Sequence, residues 1–313
     1  MNSLNRLLAK LQKSKEGVNI GISFQSGAVA VCVTEVQNNE LKVTLCVYLQ
    51  GEQNHKQLLA KLISDHSIPK GKVTLVLGID EHKTHKLARP SVEKSELKQS
   101  VKYLLKDRLV HGTEKAVIDI VDYPTGCQLD DQIMVVESSR EIIANYVDIV
   151  SSLGFELDAI DISELLLGEI LQSYPGIDKG LVLVLDHEQG ISLLIYRGDS
   201  LYLIKRLSGL TDFIACLPSE GNMMMADTLL LEIQRTLDYY DAQMRQPPLA
   251  GILLSPSFAD ISPLAEYLNK NLATQVECLD INELLDLPAA LSPAMQQDCL
   301  TACAAAFRRE PQL

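Results

Sequence analysis

Two short patterns in the sequence have residue types that could hold a metal ion. His82-x-x-His85 has the spacing of paired histidine ligands, and Cys299-x-x-x-Cys303 places two thiols one helical turn apart. No cysteine or carboxylate cluster accompanies the histidines, whose surroundings are rich in lysine, and the two cysteines lie in an alanine-rich stretch. We therefore expect the histidines to be solvated surface residues, the cysteines to pack in a core, and no residue to serve as a metal ligand.

Patterns for covalent or phosphate chemistry are incomplete. The stretch from Gly21 to Gln25 begins like the G-x-S-x-G nucleophile elbow, but it lacks the final glycine and lies in a predicted hairpin. The sequence has no P-loop and no dinucleotide-binding fingerprint. We therefore predict no catalytic residue.

A three-stranded β-ribbon is predicted twice, once near the start of each half of the chain. The first copy covers residues 18–49 and the second covers residues 181–207, and both alternate β-branched and polar residues between Gly or Asn turn signals. Helical and strand-like segments alternate after each copy, which indicates an α/β fold. A duplicated ribbon of this kind is typical of the two halves of an actin-like fold, whose first turns contact nucleotide phosphates.

Apolar periodicity predicts the other elements. Residues 2–15 have a leucine stripe and four cations, a pattern typical of a basic amphipathic helix. Further helices are predicted near residues 56–64 and 89–109, from a capping box at Ser138 and Glu141 to Gly154, over residues 227–245, and from about residue 293. Strands are predicted over residues 73–79, 118–124, 132–138 and 249–257.

Composition limits the class of protein. A chain of 313 residues with 47% hydrophobic residues is suited to two lobes. No apolar run approaches the roughly 20 residues of a membrane span, and no signal peptide is evident, so we expect a cytoplasmic protein. Seven dispersed cysteines are typical of buried hydrophobic side chains rather than of a disulfide framework, and a net charge of −13 argues against nucleic-acid binding.

Six segments in order resemble the PilM-like family of type IV pilus assembly proteins, which are relatives of the cell-division protein FtsA. The branch of the mannose-sensitive haemagglutinin (MSHA) pilus is the most similar. The resemblance covers nearly the whole chain, and it lies in VNIGISFQSGAVAV, ARPSVEKSELKQSVKYLLKDRL through IDIVDYP, MVVESSREIIANYVDIVSSLGFELDAIDISELLL, LLLEIQRTLDYYDAQM, ILLSPSFADISPLAEYLNKNL and LTACAAAFRR.

The resemblance implies an actin-like (FtsA/PilM-type) bilobal α/β fold with duplicated β-ribbon halves and an inserted small subdomain. The N-terminal amphipathic helix would be residues 1–16. The first lobe would be residues 17–80 with 139–175, and the inserted subdomain residues 85–137. The second lobe would be residues 180–310, with 210–248 as a smaller subdomain.

The resemblance also implies a nucleotide site, which this sequence has altered. In relatives the first loop reads like G-I-D-I-G-S-S-S-V-K, whereas here Ser23 replaces the acid and Gln25 replaces the glycine. Asp186 survives in the second loop, but residues 187–189 replace a small Gly-containing turn. In the third loop Ser255-Pro256-Ser257 replaces Ser-Gly-Gly, and the proline ring would occupy the space of adenine.

We therefore expect Ser23, Gln25, Asp186 and Ser255 to be vestigial nucleotide-site positions. The expected protein is not an enzyme and has no cofactor. Retained binding of ATP and Mg²⁺, in a functional PilM-type switch, is the first alternative. A cytoplasmic component of a type II secretion system is the second, disfavoured because the chain ends at Leu313 without a membrane span after the fold.

The role implied by the resemblance is a scaffold, peripheral to the inner membrane through its partners. It would bind the N-terminal tail of a PilN-like inner-membrane protein. Through that protein it would be connected indirectly to the pilus assembly ATPase machinery. Residues 2–15 are suited to contact an anionic membrane surface.

The expected tail groove lies beside the predicted helix 89–109 and the strand 118–124. Its partner-binding residues would be the acids Asp119 and Asp122, placed on one side of the strand, with Leu97 and Val101 as apolar contacts. The alternative is that both acids are ordinary solvent-facing residues.

Overall fold

The computed structural model describes residues 17–309, except 38–39, 128, 130, 220–222 and 243. The helix predicted over residues 2–15 and the turn predicted at Asn38-Asn39 lie outside the described residues.

The described residues form thirteen strands and nine α-helices. The strands are β1 (Asn19–Gln25), β2 (Ala28–Gln37), β3 (Glu40–Gln50), β4 (Lys72–Leu77), β5 (His82–Ala88), β6 (Ala116–Asp122), β7 (Gln132–Ser139), β8 (Glu156–Ile162), β9 (Leu181–His187), β10 (Gly190–Arg197), β11 (Ser200–Leu207), β12 (Gly251–Leu254) and β13 (Val276–Cys278). The helices are α1 (His55–His66), α2 (Leu97–Leu104), α3 (Gly112–Lys115), α4 (Arg140–Ser152), α5 (Ser163–Leu171), α6 (Met224–Ala242), α7 (Ser262–Asn271), α8 (Ile281–Leu284) and α9 (Pro293–Ala306).

The chain divides into two compact units. The first unit contains Met1–Gly78, Tyr146–Leu171 and Asp280–Leu313, and the second contains Ile79–Asn145 and Gln172–Leu279. Among the described residues, no helix is both long and apolar enough to cross a membrane.

The first unit has a five-stranded sheet in the order β3-β2-β1-β4-β8. The strands β1, β2 and β3 are antiparallel and form the first predicted ribbon, while β4 lies parallel to β1 and β8 parallel to β4. The first seven residues of β2 are buried, because helices α1 and α9 both pack against this strand. A hydrogen bond of 2.9 Å from Thr34 Oγ1 to the carbonyl of Ala306 joins α9 to β2.

The second unit repeats this sheet in the order β11-β10-β9-β12-β13. Its first three strands, β9 to β11, form the second predicted ribbon, and β12 and β13 add in parallel. The core of this unit contains Phe213 and Tyr240, both almost fully buried, beside β-branched and leucine side chains of β9 and β10. Both ribbon predictions are thus confirmed, because alternation between turn residues is a local signal.

A separate antiparallel sheet in the second unit has the order β5-β7-β6. Helix α2 covers one face of it through Leu97 and Val101, which pack against Ile133 and Val135 of β7. This sheet includes most of the range predicted as an insertion of the first lobe, residues 85–137, and it groups with the second unit.

The carboxyl-terminal part of the chain differs from the prediction. Residues 280–310 were expected in the second lobe, but α8 and α9 belong to the first unit. Alanine and cysteine side chains make α9 small enough to lie directly against β1, where a Cβ added at Gly21 would come within 2.0 Å of the Ala302 carbonyl oxygen. The close approach of helix and strand explains why α9 returns to the first sheet.

Two local predictions also require correction. The helix predicted over residues 89–109 is confined to α2, whose last residue, Leu104, is 52% exposed. Ser138 does not cap α4, because its hydroxyl donates a hydrogen bond to the carbonyl of Glu81, and the Glu141 N–H donates to Ser139 Oγ instead. α4 is followed by Gly154 with φ of +75°, as predicted.

Candidate functional site

The first predicted nucleotide loop is the turn between β1 and β2, and its polar side chains are bonded within the first unit. Ser23 is buried, and its hydroxyl accepts a hydrogen bond of 3.0 Å from Thr301 Oγ1. Gln25 Nε2 donates a 2.7 Å hydrogen bond to the carbonyl of Asp298, and the Gln25 carbonyl lies 2.8 Å from His55 Nε2. Helix α9 thus engages both side chains that replace the acid and the glycine of the relatives.

Gly21, the first glycine of this loop, has a packing role in the structure. An added Cβ would meet the Ala302 carbonyl oxygen at 2.0 Å and the Ala306 nitrogen at 2.5 Å. Both distances are shorter than side-chain carbons tolerate, so glycine is required here for α9 to contact β1.

The second and third loops lie together in the second unit. The Asp186 N–H donates a 3.0 Å hydrogen bond to Ser255 Oγ, and Asp186 Oδ2 accepts a 3.1 Å bond from the Phe213 N–H. Burial is the main cause that raises the pKa of Asp186 to about 6, and the nearby charge of Asp212 raises it further. The structure therefore brings Asp186 and Ser255 together, but as partners in a hydrogen-bonded loop.

The turn after Asp186 is closed by a histidine ring. The Gln189 N–H donates to His187 Nδ1 at 3.2 Å, so that Nε2 carries the proton and donates to Ser192 Oγ at 2.8 Å. In the third loop Pro256 is buried together with Ser255. The second loop is thus held by hydrogen bonds of the His187 ring, and the third loop contains a buried proline.

The predicted partner-binding residues fall into two groups. Leu97 and Val101 are 8% and 0% exposed in the core between α2 and β7, so neither presents a surface to a partner. Asp119 and Asp122 are exposed, and each is paired with a cation of its own unit: Lys98 Nζ lies 2.7 Å from Asp119 Oδ1, and Arg89 contacts Asp122.

The two acids do not lie on one side of β6, which corrects the prediction. Asp119 pairs with Val136 and Asp122 with Ile133, and these partners face opposite sides of the sheet. The reason is the two-residue period of a strand, since positions three apart point in opposite directions.

The second unit contains a cavity of about 510 Å³ that the sequence did not predict. We call it the β5–β11 cavity. Its lining includes Lys86 of β5, residues 201–205 of β11, Arg235 of α6, Met134 of β7, and Tyr123, which directly follows β6. These residues come from distant parts of the chain, so no local signal could have found the cavity.

The two histidines of the His82-x-x-His85 pattern are not solvated, which corrects that prediction. His82 is 1% exposed, and its Nε2 lies 3.0 Å from an Arg206 guanidinium nitrogen. His85 Nε2 lies 2.8 Å from the fully buried carboxylate of Glu137. Within the described residues, no group of three or more His, Cys, Asp or Glu side chains is arranged to hold a metal ion.

Glu137 is the most buried carboxylate of this sheet. Burial alone would raise its pKa, but hydrogen bonds from the backbone N–H groups of His111 and Val110 and from His85 outweigh burial and lower the pKa. Glu137 therefore fixes the loop that precedes α3.

Cys299 and Cys303 are buried in a core, as predicted, and two further cysteines lie beside them. Cys32 and Cys46 are directly opposite each other on β2 and β3, and Cys46 Sγ lies 3.7 Å from Cys303 Sγ. The i, i+4 spacing on α9 was visible in the sequence, whereas the cross-strand pair opposite it required the register.

Of the comparisons with known proteins, only the one with solved structures gives matches. No family model matches the chain, and no curated protein does. Among similar solved structures, the PilM-PilN type IV pilus biogenesis complex has a TM-score of 0.69 and 15% identity, covering 92% of this chain and 97% of that chain.

Two further structures are similar over most of their length. A Bacteroides thetaiotaomicron protein with an actin-like ATPase fold has a TM-score of 0.51 and 10% identity, covering 94% of this chain and 98% of that one. The cytoplasmic domain of EpsL, an inner membrane component of the type II secretion system of Vibrio cholerae, has a TM-score of 0.49 and 13% identity, with coverage of 92% and 94%. Identities this low are informative about fold alone, and the two structures with TM-scores of 0.69 and 0.51 confirm that the chain has the predicted actin-like α/β fold.

Proposed function

We propose that this chain is a non-enzymatic, cytoplasmic scaffold of type IV pilus assembly with a degenerate nucleotide site. In this proposal it binds the N-terminal tail of a PilN-like inner-membrane protein, stays peripheral to the inner membrane through that partner, and reaches the assembly ATPase machinery indirectly. Among pilus systems we propose the MSHA type, because the resemblance of the sequence is strongest to MshI of that system.

The observation that carries the proposal is the bonding of Gln25. Phosphate loops need open backbone N–H groups and an acid for Mg²⁺. Here the Gln25 side chain occupies the position of a glycine and is tied to the Asp298 carbonyl at 2.7 Å. Ser23, which replaces the acid, is buried and bonded to Thr301. The likeness in fold to PilM, whose solved complex contains PilN, supports the choice of partner.

The tail of the partner is proposed to dock along β6. This strand is an edge of its sheet, where an extended peptide can pair with the backbone by replacing local bonds such as that from the Ile120 N–H to Asp119 Oδ1. Asp119 and Asp122 are exposed there, and a basic tail can compete with Lys98 and Arg89 for their carboxylates.

The test is binding of a labelled peptide with the N-terminal tail sequence of a PilN-like protein from the same organism, measured by fluorescence anisotropy. We expect saturable binding that is unaffected by Mg-ATP. Absence of binding, or binding only in the presence of Mg-ATP, would contradict the scaffold proposal.

A working ATP-dependent switch is the second candidate, because Asp186 is retained at the end of β9. Its raised pKa of about 6 reflects a carboxylate in a poorly solvated place, where a divalent cation could compensate the charge. A Mg²⁺-dependent rise in thermal stability that is lost in Asp186→Asn would favour this candidate.

Membrane contact by residues 2–15 is proposed as a reinforcement of attachment. Deleting residues 2–13 should reduce co-sedimentation with anionic liposomes, since three of the four cations and the leucine stripe are removed together. Equal co-sedimentation of both proteins would show that this segment has no such role.

A further inference from the structure

The β5–β11 cavity lies between two sheet edges. β5 is the outer strand of the order β5-β7-β6, and β11 is the outer strand of the order β11-β10-β9-β12-β13. Residues 84–86 of β5 and 201–205 of β11 line the same cavity. In the described part of the chain, no backbone hydrogen bond joins these two strands. Each edge therefore presents backbone groups that a further strand could pair with.

The walls of the cavity combine apolar and aromatic surface. Tyr123, Met134 and Leu203 supply apolar atoms, and Tyr239 lies on the side of α6. A volume of about 510 Å³ is within the range of sites that enclose a ligand. An extended segment whose alternate side chains are apolar matches such walls, because successive side chains of a strand point to opposite sides.

The charges around the cavity are predominantly positive. Lys205 and Arg235 share a single carboxylate, Glu232, with contacts of 2.8 Å each. Lys86 lies 5.9 Å from the centre of the Tyr123 ring, and among the described residues it has no ion-pair partner. The chain as a whole has a net charge of −13, so this cationic cavity differs in sign from the rest of the molecule.

We propose that the β5–β11 cavity binds an extended, acidic peptide segment of a partner protein. The segment pairs through its backbone with one or both strand edges, places apolar side chains against Tyr123 and Met134, and directs Asp or Glu side chains to Lys86 and Arg235. This site is separate from the β6 edge, where the proposed tail is basic, so the two sites select partners of opposite charge.

The probe is a random octapeptide display library selected on the intact protein and counter-selected on the variant Lys86→Glu/Arg235→Glu. Both replaced side chains are exposed, so the variant is expected to fold. The charge-matched control is Lys61→Glu/Lys270→Glu, which alters two exposed lysines, one on α1 and one on α7, outside the cavity. We expect the enriched peptides to carry Asp or Glu at alternating positions with apolar residues between them.

The best enriched peptide is then synthesised and measured by fluorescence anisotropy. We expect binding to weaken at least tenfold in the double variant and to be unchanged in the control. On the parent protein, N-methylation of alternate peptide amides should also weaken binding at least tenfold, because it removes backbone donors. This second measurement does not depend on folding of the variant.

Three results would overturn the proposal. The first is enrichment of basic or uncharged peptides, or no enrichment over the double variant. The second is N-methylation without effect, which would exclude strand pairing. The third is competition by free glutamate or succinate at the same concentration as the peptide, which would show a site for a small organic anion. The PilN-like tail is measured separately, so failure here leaves the proposed function intact.

Discussion

Replacing Asp186 with asparagine should stabilise the protein at neutral pH. Burial is the main cause that raises the pKa of Asp186 from its ordinary value of 3.8 to about 6. The gap corresponds to about 3 kcal/mol between the protonation states, and partial solvent access of the side chain reduces this to about 1–2 kcal/mol. The asparagine oxygen can still accept the hydrogen bond from the Phe213 N–H.

The pH dependence follows from linkage. Between pH 3.8 and about 6 the folded protein binds the Asp186 proton more tightly than the unfolded chain, so this group makes stability fall as pH rises. The stability of Asp186→Asn does not fall in this way, because asparagine does not titrate. Its advantage should be absent near pH 4, grow up to about pH 6, and stay constant above pH 7.

Thermal unfolding monitored by circular dichroism at pH 4, 6 and 8 measures the effect. We expect the midpoint of Asp186→Asn to exceed that of the parent by about 2–6 °C at pH 8. Asp238→Asn, at an exposed position on α6, is the matched control and should change little. A destabilised Asp186→Asn at pH 8, or an equal effect at pH 4 and pH 8, would refute the reasoning.

Three other outcomes follow from the packing and charges. Gly21→Ala should destabilise the protein by about 3 kcal/mol or prevent folding in urea titrations, whereas Gly251→Ala, whose added Cβ meets nothing nearer than 3.5 Å, should be tolerated. Glu137→Ala should cost about 3–5 kcal/mol in the same titration, because it removes a buried charge that accepts several hydrogen bonds; an effect below about 1 kcal/mol would contradict this. Asp119→Lys/Asp122→Lys should weaken binding of the PilN-like tail, most strongly at low salt, and equal affinity at low ionic strength would show that β6 is not the docking edge.

Local periodicity was sufficient to predict the strands of both ribbons and most helices. The ribbon strands alternate polar and β-branched residues between turns, and each such signal lies within about ten residues. Helix α9 was also predicted from Pro293 onward, but its unit was not. Its alanine and cysteine side chains give no distinct apolar face, and its position depends on a contact with Gly21 far away in the sequence.

The site residues show the same limit. Burial of His82 and His85 depends on Arg206 and Glu137, which are distant in sequence, so the lysine-rich surroundings suggested a solvated loop. The placement of Asp119 and Asp122 on one side of β6 was wrong for a local reason, because positions three apart alternate on a strand.

The unusual residues of the three loops could be recognised only by comparison with the loop sequences of the family that the chain resembles. The substitutions at Ser23 and Gln25 are visible in the sequence, but their bonds to α9 are not, because the helix is nearly 280 residues away. The β5–β11 cavity gave no sequence signal at all, since it is formed where two strand edges and α6 meet.

Calorimetric titration of the intact protein with Mg-ATP tests the proposed loss of nucleotide binding most directly. The bonds of Gln25 and Ser23 to α9 and the buried Pro256 predict no saturable heat at micromolar nucleotide. A dissociation constant in the low micromolar range, which corresponds to about −8 kcal/mol, would contradict the account and favour an ATP-binding switch.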